Sequence, residues 1–377
     1  MIKYLGSKRA LTQAIAAGAS AIGARTAADL FAGTTRVGQA LRAAGIEVVS
    51  NDTAAYSETF GLAYIAARPD IDRLRVLRLL RRLQTLPPVD GYVTETFSRR
   101  SRYFRPENGM RIDAARDEID RLDLDPVTRA ILLTSLVEAA DRVDSTVGVQ
   151  MAYLKQWAPR AANVLELREP AAIDGPPGRV ERADANDLAG ELEGIDLAYI
   201  DPPYNQHSYL GNYHVWETLV RWDAPDHYGI ACKRVDCRTR KSPYNLRRQA
   251  LAALTDLIER TRAPWLLVSF SNEGFHRPDE IEALLAQRGH VGAVAVPRPR
   301  YVGARIGIHD PSGRKVGAVS HLSNTEHLFV CGPDRNRLDR ALLSISRALV
   351  RHDEAGGNSP AGRGPEGRHA AVHASHL

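Results

Sequence analysis

The sequence predicts an α/β fold of the open-sheet type, interrupted by a mostly helical insertion. Three observations predict it. An apolar run over residues 195–200 ends in Asp201-Pro202-Pro203-Tyr204. Near the start, a short apolar strand, a Gly-containing turn, a helix and a second strand follow one another, which is a βαβ beginning. Between them, residues 66–179 change character, with leucines at helical spacing and arginines between.

The first helix is expected over about 8–22 and the first strand over 27–31. The turn at Gly33 leads into a helix over about 35–44, ended by Gly45, and a strand over 47–50. Residues 68–83 are expected to be helical. Leu86-Pro87-Pro88 breaks that pattern, and a polar aromatic stretch covers 91–111. Helices are expected again over 113–122 and 126–143. The sheet resumes near Val180, then at 195–200, 265–270, 291–296 and 327–331. Residues 352–377 are rich in Gly, Pro, Ala and His and are expected to be a disordered tail, with His369, His373 and His376 solvated. No internal repeat is visible.

Asp201-Pro202-Pro203-Tyr204 carries the most information. The prolines cannot continue a central strand and fix a rigid turn. A carboxylate and a ring are thereby held at a strand's carboxyl end, where open α/β sheets bind ligands. The Asp201 side chain and the Pro202 carbonyl form an acceptor pair beside a flat π-face, which suits a planar amine such as the edge of adenine. The plainer alternative is a strand-terminating turn with a surface tyrosine.

The 377 residues, 44% apolar, can build a sizeable core as one large domain or two. Net charge is +5, and the basic residues are overwhelmingly Arg. Arg forks suit phosphates and guanine edges, so a polyanionic partner is expected. Three cysteines, Cys232, Cys237 and Cys331, imply a reducing cytoplasm and no disulfide framework. His227 with Cys232 and Cys237 lacks zinc spacing and a fourth ligand, so no metal is expected. No run is long and apolar enough to span a bilayer, and the Ala/Gly-rich stretch over 14–24 is too Gly-rich for a signal segment.

Gly33 lets the backbone approach a ligand closely. The next strand ends in Asn51-Asp52, an acid about 20 residues on, where nucleotide-binding α/β folds take ribose hydroxyls. A helix N-cap is the competing role for Asp52. The glycines do not fall as Gly-x-Gly-x-x-Gly, which fits a nucleoside without a pyrophosphate, such as S-adenosylmethionine.

In this order, Lys3-Tyr4-Leu5-Gly6-Ser7-Lys8, Asp29-Leu30-Phe31-Ala32-Gly33, Asn51-Asp52 and Asp201-Pro202-Pro203-Tyr204 resemble the Dam-like (class alpha) N6-adenine DNA methyltransferases, a group with many restriction–modification methylases. The resemblance covers residues 1–65 and 180–332. Residues 66–179 match by position alone, where that family places a target-recognition region. The resemblance implies a Rossmann-like S-adenosylmethionine-dependent catalytic domain over 1–65 and 180–350, with 66–179 as the DNA-recognition insertion. It places Tyr4 and Lys8 near the cofactor's methionine portion. Asp29, Phe31 and Gly33 would line the methionine and adenosine pocket, Asp52 would take the ribose, and Asp184 the adenine amine. Asp201, Pro202 and Tyr204 would hold the target base. Thr35 stands where many members carry a second Gly, and a Thr is expected to make that turn with negative φ.

The implied reaction is methyl transfer to the adenine N6 amine in a specific double-stranded DNA sequence. The base is flipped out to reach the pocket. Arg99, Arg100, Arg102 and Arg105, the stretch 233–248, and Arg298 and Arg300 with Tyr301 and Arg305 are the expected DNA contacts, with basic residues interleaved among aromatics. Tyr209, Tyr213, His214 and Trp216 either cover the flipped base or pack in the core. A monomer in the cytoplasm is expected, alone or alongside a cognate restriction endonuclease. The rival functions are methyl transfer to RNA or cytosine, and a catalytically inactive nucleic-acid-binding module.

Overall fold

The computed structural model describes residues 2–6, 8–299, 323–356 and 372–373. The strands in chain order are β1 (Thr26–Asp29), β2 (Glu47–Asn51), β3 (Arg179–Glu181), β4 (Leu197–Ile200), β5 (His227–Tyr228), β6 (Lys233–Arg234), β7 (Trp265–Ser271), β8 (His290–Pro299) and β9 (Ser323–Gly332). The chain forms two compact units. One comprises Met1–Ser7, Ala32–Ala185 and His207–Ser242, the other Lys8–Phe31, Asn186–Gln206 and Pro243–Leu377.

In the second unit β1, β4 and β7 pair in parallel, with Asp29 beside Tyr199 and Ile200 beside Val268. β9 then runs antiparallel to β7, and β8 antiparallel to β9. Every residue of β4 and β7 is buried. That is why both are legible as unbroken apolar runs, the signature of strands covered on both faces. Asp196 sets the register of β1 and β4: its carboxylate accepts the N–H groups of Arg25 (2.8 Å) and Thr26 (3.1 Å). Parallel pairing brings the carboxyl ends of three strands to one edge, and Asp201 leaves the sheet there.

The helix Arg335–Gly356 was not anticipated; Leu338, Leu342, Ile345 and Leu349 form its buried stripe. It extends the ordered chain past residue 352. Most of the expected tail lies outside the described residues, and Val372–His373 pair antiparallel with β8.

In the first unit β2 and β3 pair in parallel. The helices Arg73–Gln84, Pro106–Arg121 and Pro126–Val143 lie within this unit, and residues 66–179 are not a compact body of their own. Asp72 and Asp125 cap the first and third of these by accepting the N–H of Arg75 (2.8 Å) and Thr128 (2.9 Å). Pro126–Val143 is buried nearly all round, its polar Thr134, Ser135 and Asp141 included, and sits in the core with Leu132, Leu133, Leu136 and Val137. The middle helix begins at Pro106 rather than near 113. A π-helical turn, Thr94–Arg100, precedes it inside the expected irregular stretch. The support of the π-helical turn is long-range. The buried Asp113 carboxylate accepts the N–H groups of Val93 (2.9 Å) and Thr94 (2.8 Å), a cap supplied from another helix.

Arginine abundance is partly structural. Arg116, fully buried, donates to the carbonyls of Leu219 (2.7 Å) and Val220 (3.1 Å). Arg42 donates to those of Tyr64 and Ile65. These side chains serve helix ends, not a surface field.

Candidate active site

In the second unit the Asp201-Pro202-Pro203-Tyr204 turn follows β4 as expected. Pro202 is buried, and the Tyr204 ring packs against Phe270 of β7 with centroids 5.8 Å apart. The Tyr204 carbonyl accepts the N–H of Phe275 (2.8 Å), and the Asn205 carbonyl accepts from the Asn245 amide (2.7 Å). The turn is thus held from both sides, and the surface-tyrosine alternative does not describe it.

Lys8 lies against this turn. Its ammonium is 2.9 Å from the Asp201 carboxylate and 2.9 Å from Glu326 of β9, and it lies 6.0 Å from the Tyr204 ring centroid. The Lys8 side chain is 6% exposed, Asp201 17% and Glu326 12%. The Ser269 hydroxyl donates to Glu326 at 3.0 Å. Glu326 and Ser269 carry no motif and were not expected. Burial, with Glu326 beside it, raises the Asp201 carboxyl to about 6, although Lys8 opposes the rise. Burial would strip the Lys8 proton, but the two carboxylates outweigh it and hold its pKa well above the ordinary lysine value. Burial pushes the Tyr204 phenol up to about 12, so it stays neutral. The chemical result is a carboxylate that is ionised at neutral pH yet more basic than an ordinary aspartate. Elsewhere in this unit Asp29 is buried at the end of β1, and Phe31 meets Tyr244 edge to face at 5.2 Å.

In the first unit Gly33 turns at φ +51°. A Cβ there would lie 3.1 Å from the Tyr4 ring, so both the dihedral and the neighbour call for glycine. Tyr4 stacks on Tyr213 (4.4 Å) and Tyr209 (5.4 Å), and its hydroxyl meets that of Tyr56 at 3.1 Å. Lys3 anchors the segment through Asp141 (2.9 Å) and Asp144 (3.3 Å). Asp52 accepts the Gly33 N–H (2.9 Å) with one oxygen and the Ala54 N–H (3.0 Å) with the other. It therefore braces the Gly33 turn and the turn at Ala54, but it is not the N-cap of the helix Ala55–Gly61, which begins after Ala54 with no side-chain cap. Burial raises its pKa and those backbone donors oppose the rise. Asp184 is exposed just beyond β3. Asn51 holds the preceding residue, accepting the Ala183 N–H (3.0 Å) and donating to its carbonyl (3.2 Å).

Thr35 departs from the expectation of negative φ. It sits in the left-handed region at φ +58°, fully buried. Its N–H donates to the Ala32 carbonyl (2.6 Å), its hydroxyl donates to the Thr34 carbonyl (2.7 Å), and the Gln39 amide donates to that hydroxyl (2.9 Å). Local hydrogen bonds offset a conformation costing about 1–2 kcal/mol for a residue with a Cβ. We therefore expect Thr35→Gly to change stability by less than about 1 kcal/mol, because strain relief and the missing hydroxyl bonds nearly cancel. Thr35→Val keeps the strain and loses the hydroxyl, and should cost about 1–2 kcal/mol more. Denaturant unfolding of the two variants checks this, and equal losses would refute it.

Tyr213, His214 and Trp216 are at most 1% exposed, so they pack in the core; Tyr209 is half-buried. Burial drives His214 down to about 3, leaving it neutral. Glu217, also missed, accepts the Ala55 N–H (2.9 Å) and pairs with Arg240 (3.2 Å).

The basic stretches are more engaged than expected. Arg99 pairs with Asp90 (2.8 Å), and Arg100 with Glu95 (2.9 Å). Arg102 and Arg105 lie over the Trp157 ring at 5.0 and 5.7 Å. Tyr103 and Phe104, the aromatics interleaved among these arginines, are buried and present no face for stacking. In the stretch 233–248, Arg234 is buried between Asp223 and Asp236. The side chains of Arg298, Arg300, Tyr301 and Arg305 lie outside the described residues. Among the described residues no group of three His, Cys, Asp or Glu side chains could hold a metal, and no helix is long and apolar enough to cross a membrane.

Residues 4–272 match the family model of the D12 class N6 adenine-specific DNA methyltransferases. The chain is 31% identical over 315 residues to the type II methyltransferase M.NlaIII of Neisseria lactamica, covering 80% of this chain and 92% of that protein. It is 31% identical over 284 residues to the type II methyltransferase M.CviAII of Paramecium bursaria Chlorella virus 1, covering 73% and 83%. Against the type II methyltransferase M.FokI of Planomicrobium okeanokoites it is 31% identical over 278 residues, 69% of this chain but only 42% of that longer protein.

Proposed function

Because the chain belongs to the D12 class N6 adenine-specific DNA methyltransferases, we propose that Asp201, Pro202 and Tyr204 receive a flipped adenine of a specific duplex sequence for methylation at N6. The observation that carries this reading is the Asp201 carboxylate, fixed at the end of β4 beside Lys8 and still partly open to solvent. The adenine amine is a poor nucleophile because its lone pair feeds the ring. The Asp201 carboxylate and the Pro202 carbonyl each accept one amine hydrogen, which localises that lone pair as charge develops. Flipping costs a few kcal/mol. Stacking on Tyr204 returns roughly 1–3 kcal/mol.

S-adenosylmethionine, when bound, supplies an activated methyl group. Two features of the first unit support a nucleoside site there. The Gly33 turn has no Cβ and the Asp52 carboxylate adjoins it, as a ribose requires. Asp184, exposed after β3, is our candidate for the adenine amine of the methyl donor. Tyr4 closes over the same turn. The relatives, named as type II methyltransferases, support a restriction–modification role.

Transfer of labelled methyl from S-adenosylmethionine to unmethylated duplex DNA, followed by nucleoside analysis, tests the reading. N6-methyladenine is the expected product. 5-Methylcytosine, or transfer to RNA alone, would overturn it.

Arg99 and Arg100 are about half exposed and remain our candidates for phosphate contact. Replacing either with Ala should weaken DNA binding across sequences and reduce the salt slope by about 1 for each arginine removed, with S-adenosylmethionine binding unchanged. A salt titration of DNA affinity checks this, and an unaltered slope would remove them from the interface.

A further inference from the structure

Glu326 is a carboxylate where a strand ordinarily keeps an apolar side chain. It lies in β9 opposite Ser271 of β7 and is buried. A buried ion pair gives little net stability, and an apolar residue of similar size is often neutral or better. Packing therefore does not account for it. Its contacts are the Ser269 hydroxyl at 3.0 Å and the Lys8 ammonium at 2.9 Å, and that ammonium is also 2.9 Å from Asp201. One cation serves two carboxylates, of which only Asp201 belongs to the proposed base pocket.

We propose that Glu326 is a positioning residue for methyl transfer, holding the Lys8 ammonium so that Asp201 stays available to the adenine amine. The ammonium bonds Asp201 at 2.9 Å through a single oxygen, Oδ1, and an ammonium with no other carboxylate partner would also draw on the lone pairs the amine must use. Glu326, bonded at the same 2.9 Å, holds it to that one oxygen. Ser269 fixes Glu326 in turn, so that hold is set by β7 and β9 and not by a flexible side chain alone. The inference rests on the reading of Asp201 as the amine acceptor.

The groups facing Asp201 are Lys8 from the N-terminal segment, Tyr199 from β4, Tyr204 from the turn and Glu326 from β9, with Glu273 acting on Tyr204. Both phenols are pushed up by burial and stay neutral, so Lys8 and Glu326 are the charges that set the acceptor.

The test is single-turnover methyl transfer against pH for the wild type, Glu326→Gln, Lys8→Met and the double variant, with S-adenosylmethionine and DNA affinities measured in parallel. Glu326→Gln should lower the rate about 10-fold to 100-fold with both affinities retained. Its acidic limb should move to lower pH, because a like charge beside Asp201 is gone. In the Lys8→Met background the same substitution should raise the rate, because it removes an uncompensated repulsion. A purely structural Glu326 would lower the rate in both backgrounds, and that result overturns the inference. An unchanged rate and pH profile in Glu326→Gln overturns it too. If Glu326→Gln fails to fold, Glu326→Asp decides: the charge is kept, the reach is shortened, and an unaltered rate refutes positioning. A wild type that makes no N6-methyladenine would instead sink the functional reading itself.

Discussion

Asp201→Ala should lower methyl transfer by about 10²–10³-fold while leaving S-adenosylmethionine binding unchanged. The magnitude is that of removing one preorganised group aimed at developing charge. The fold should survive, because Lys8 keeps Glu326 as its counter-ion at 2.9 Å. Asp201→Asn is the finer probe. It retains one acceptor oxygen but cannot titrate, so it should keep part of the rate and lose the acidic limb of the pH profile. Single-turnover rates with isothermal titration of the methyl donor measure both effects. Full activity in Asp201→Ala would remove the carboxylate from the chemistry.

Lys8→Met carries the second large effect. It leaves Asp201 and Glu326 as neighbouring carboxylates without their shared cation, each mostly buried. Breaking a buried pair by deleting one partner costs about 3–5 kcal/mol. Residual exposure of both acids places the expected loss nearer the lower end. The pH dependence has a definite sign. Asp201 offers a charged acceptor only when ionised, and burial with Glu326 raises its pKa to about 6, so wild-type transfer should fall as pH drops through about 6. Lys8 opposes that rise. Without it the acidic limb should move upward, toward neutral pH, and raising the pH should recover rate. A limb that stays in place would mean that Lys8 does not act on Asp201.

These effects concern residues of unequal visibility. Asp201 and Tyr204 stand out because two prolines after an apolar run are a local signal. Lys8 is visible through its motif, yet the motif points it to the methyl donor's methionine portion. Its contacts in the second unit are with Asp201 and Glu326. Glu326 is invisible in sequence because a single acid in an otherwise ordinary strand says nothing about its partner. The π-helical turn Thr94–Arg100 escapes for a related reason. It is capped by Asp113, and a cap from another helix leaves no trace in the capped segment. The aromatics Tyr103 and Phe104 look like stacking surfaces because local composition cannot distinguish an exposed ring from a buried one.

Local sequence was enough to define the central strands, the proline turn after β4, the Gly33 turn and the acid after β2. All of these follow from short-range rules: side-chain alternation and runs, fixed φ at proline, freedom of φ at glycine. Which charges meet was settled by long-range packing instead. Lys8, Asp201 and Glu326 come from three distant parts of the chain and converge through the parallel pairing of β4 with β7 and the antiparallel return of β9. The sign of φ at Thr35 lies between the two: its hydrogen bonds with Ala32, Thr34 and Gln39 are all short-range, yet they hold a β-branched residue where its own sterics would not place it.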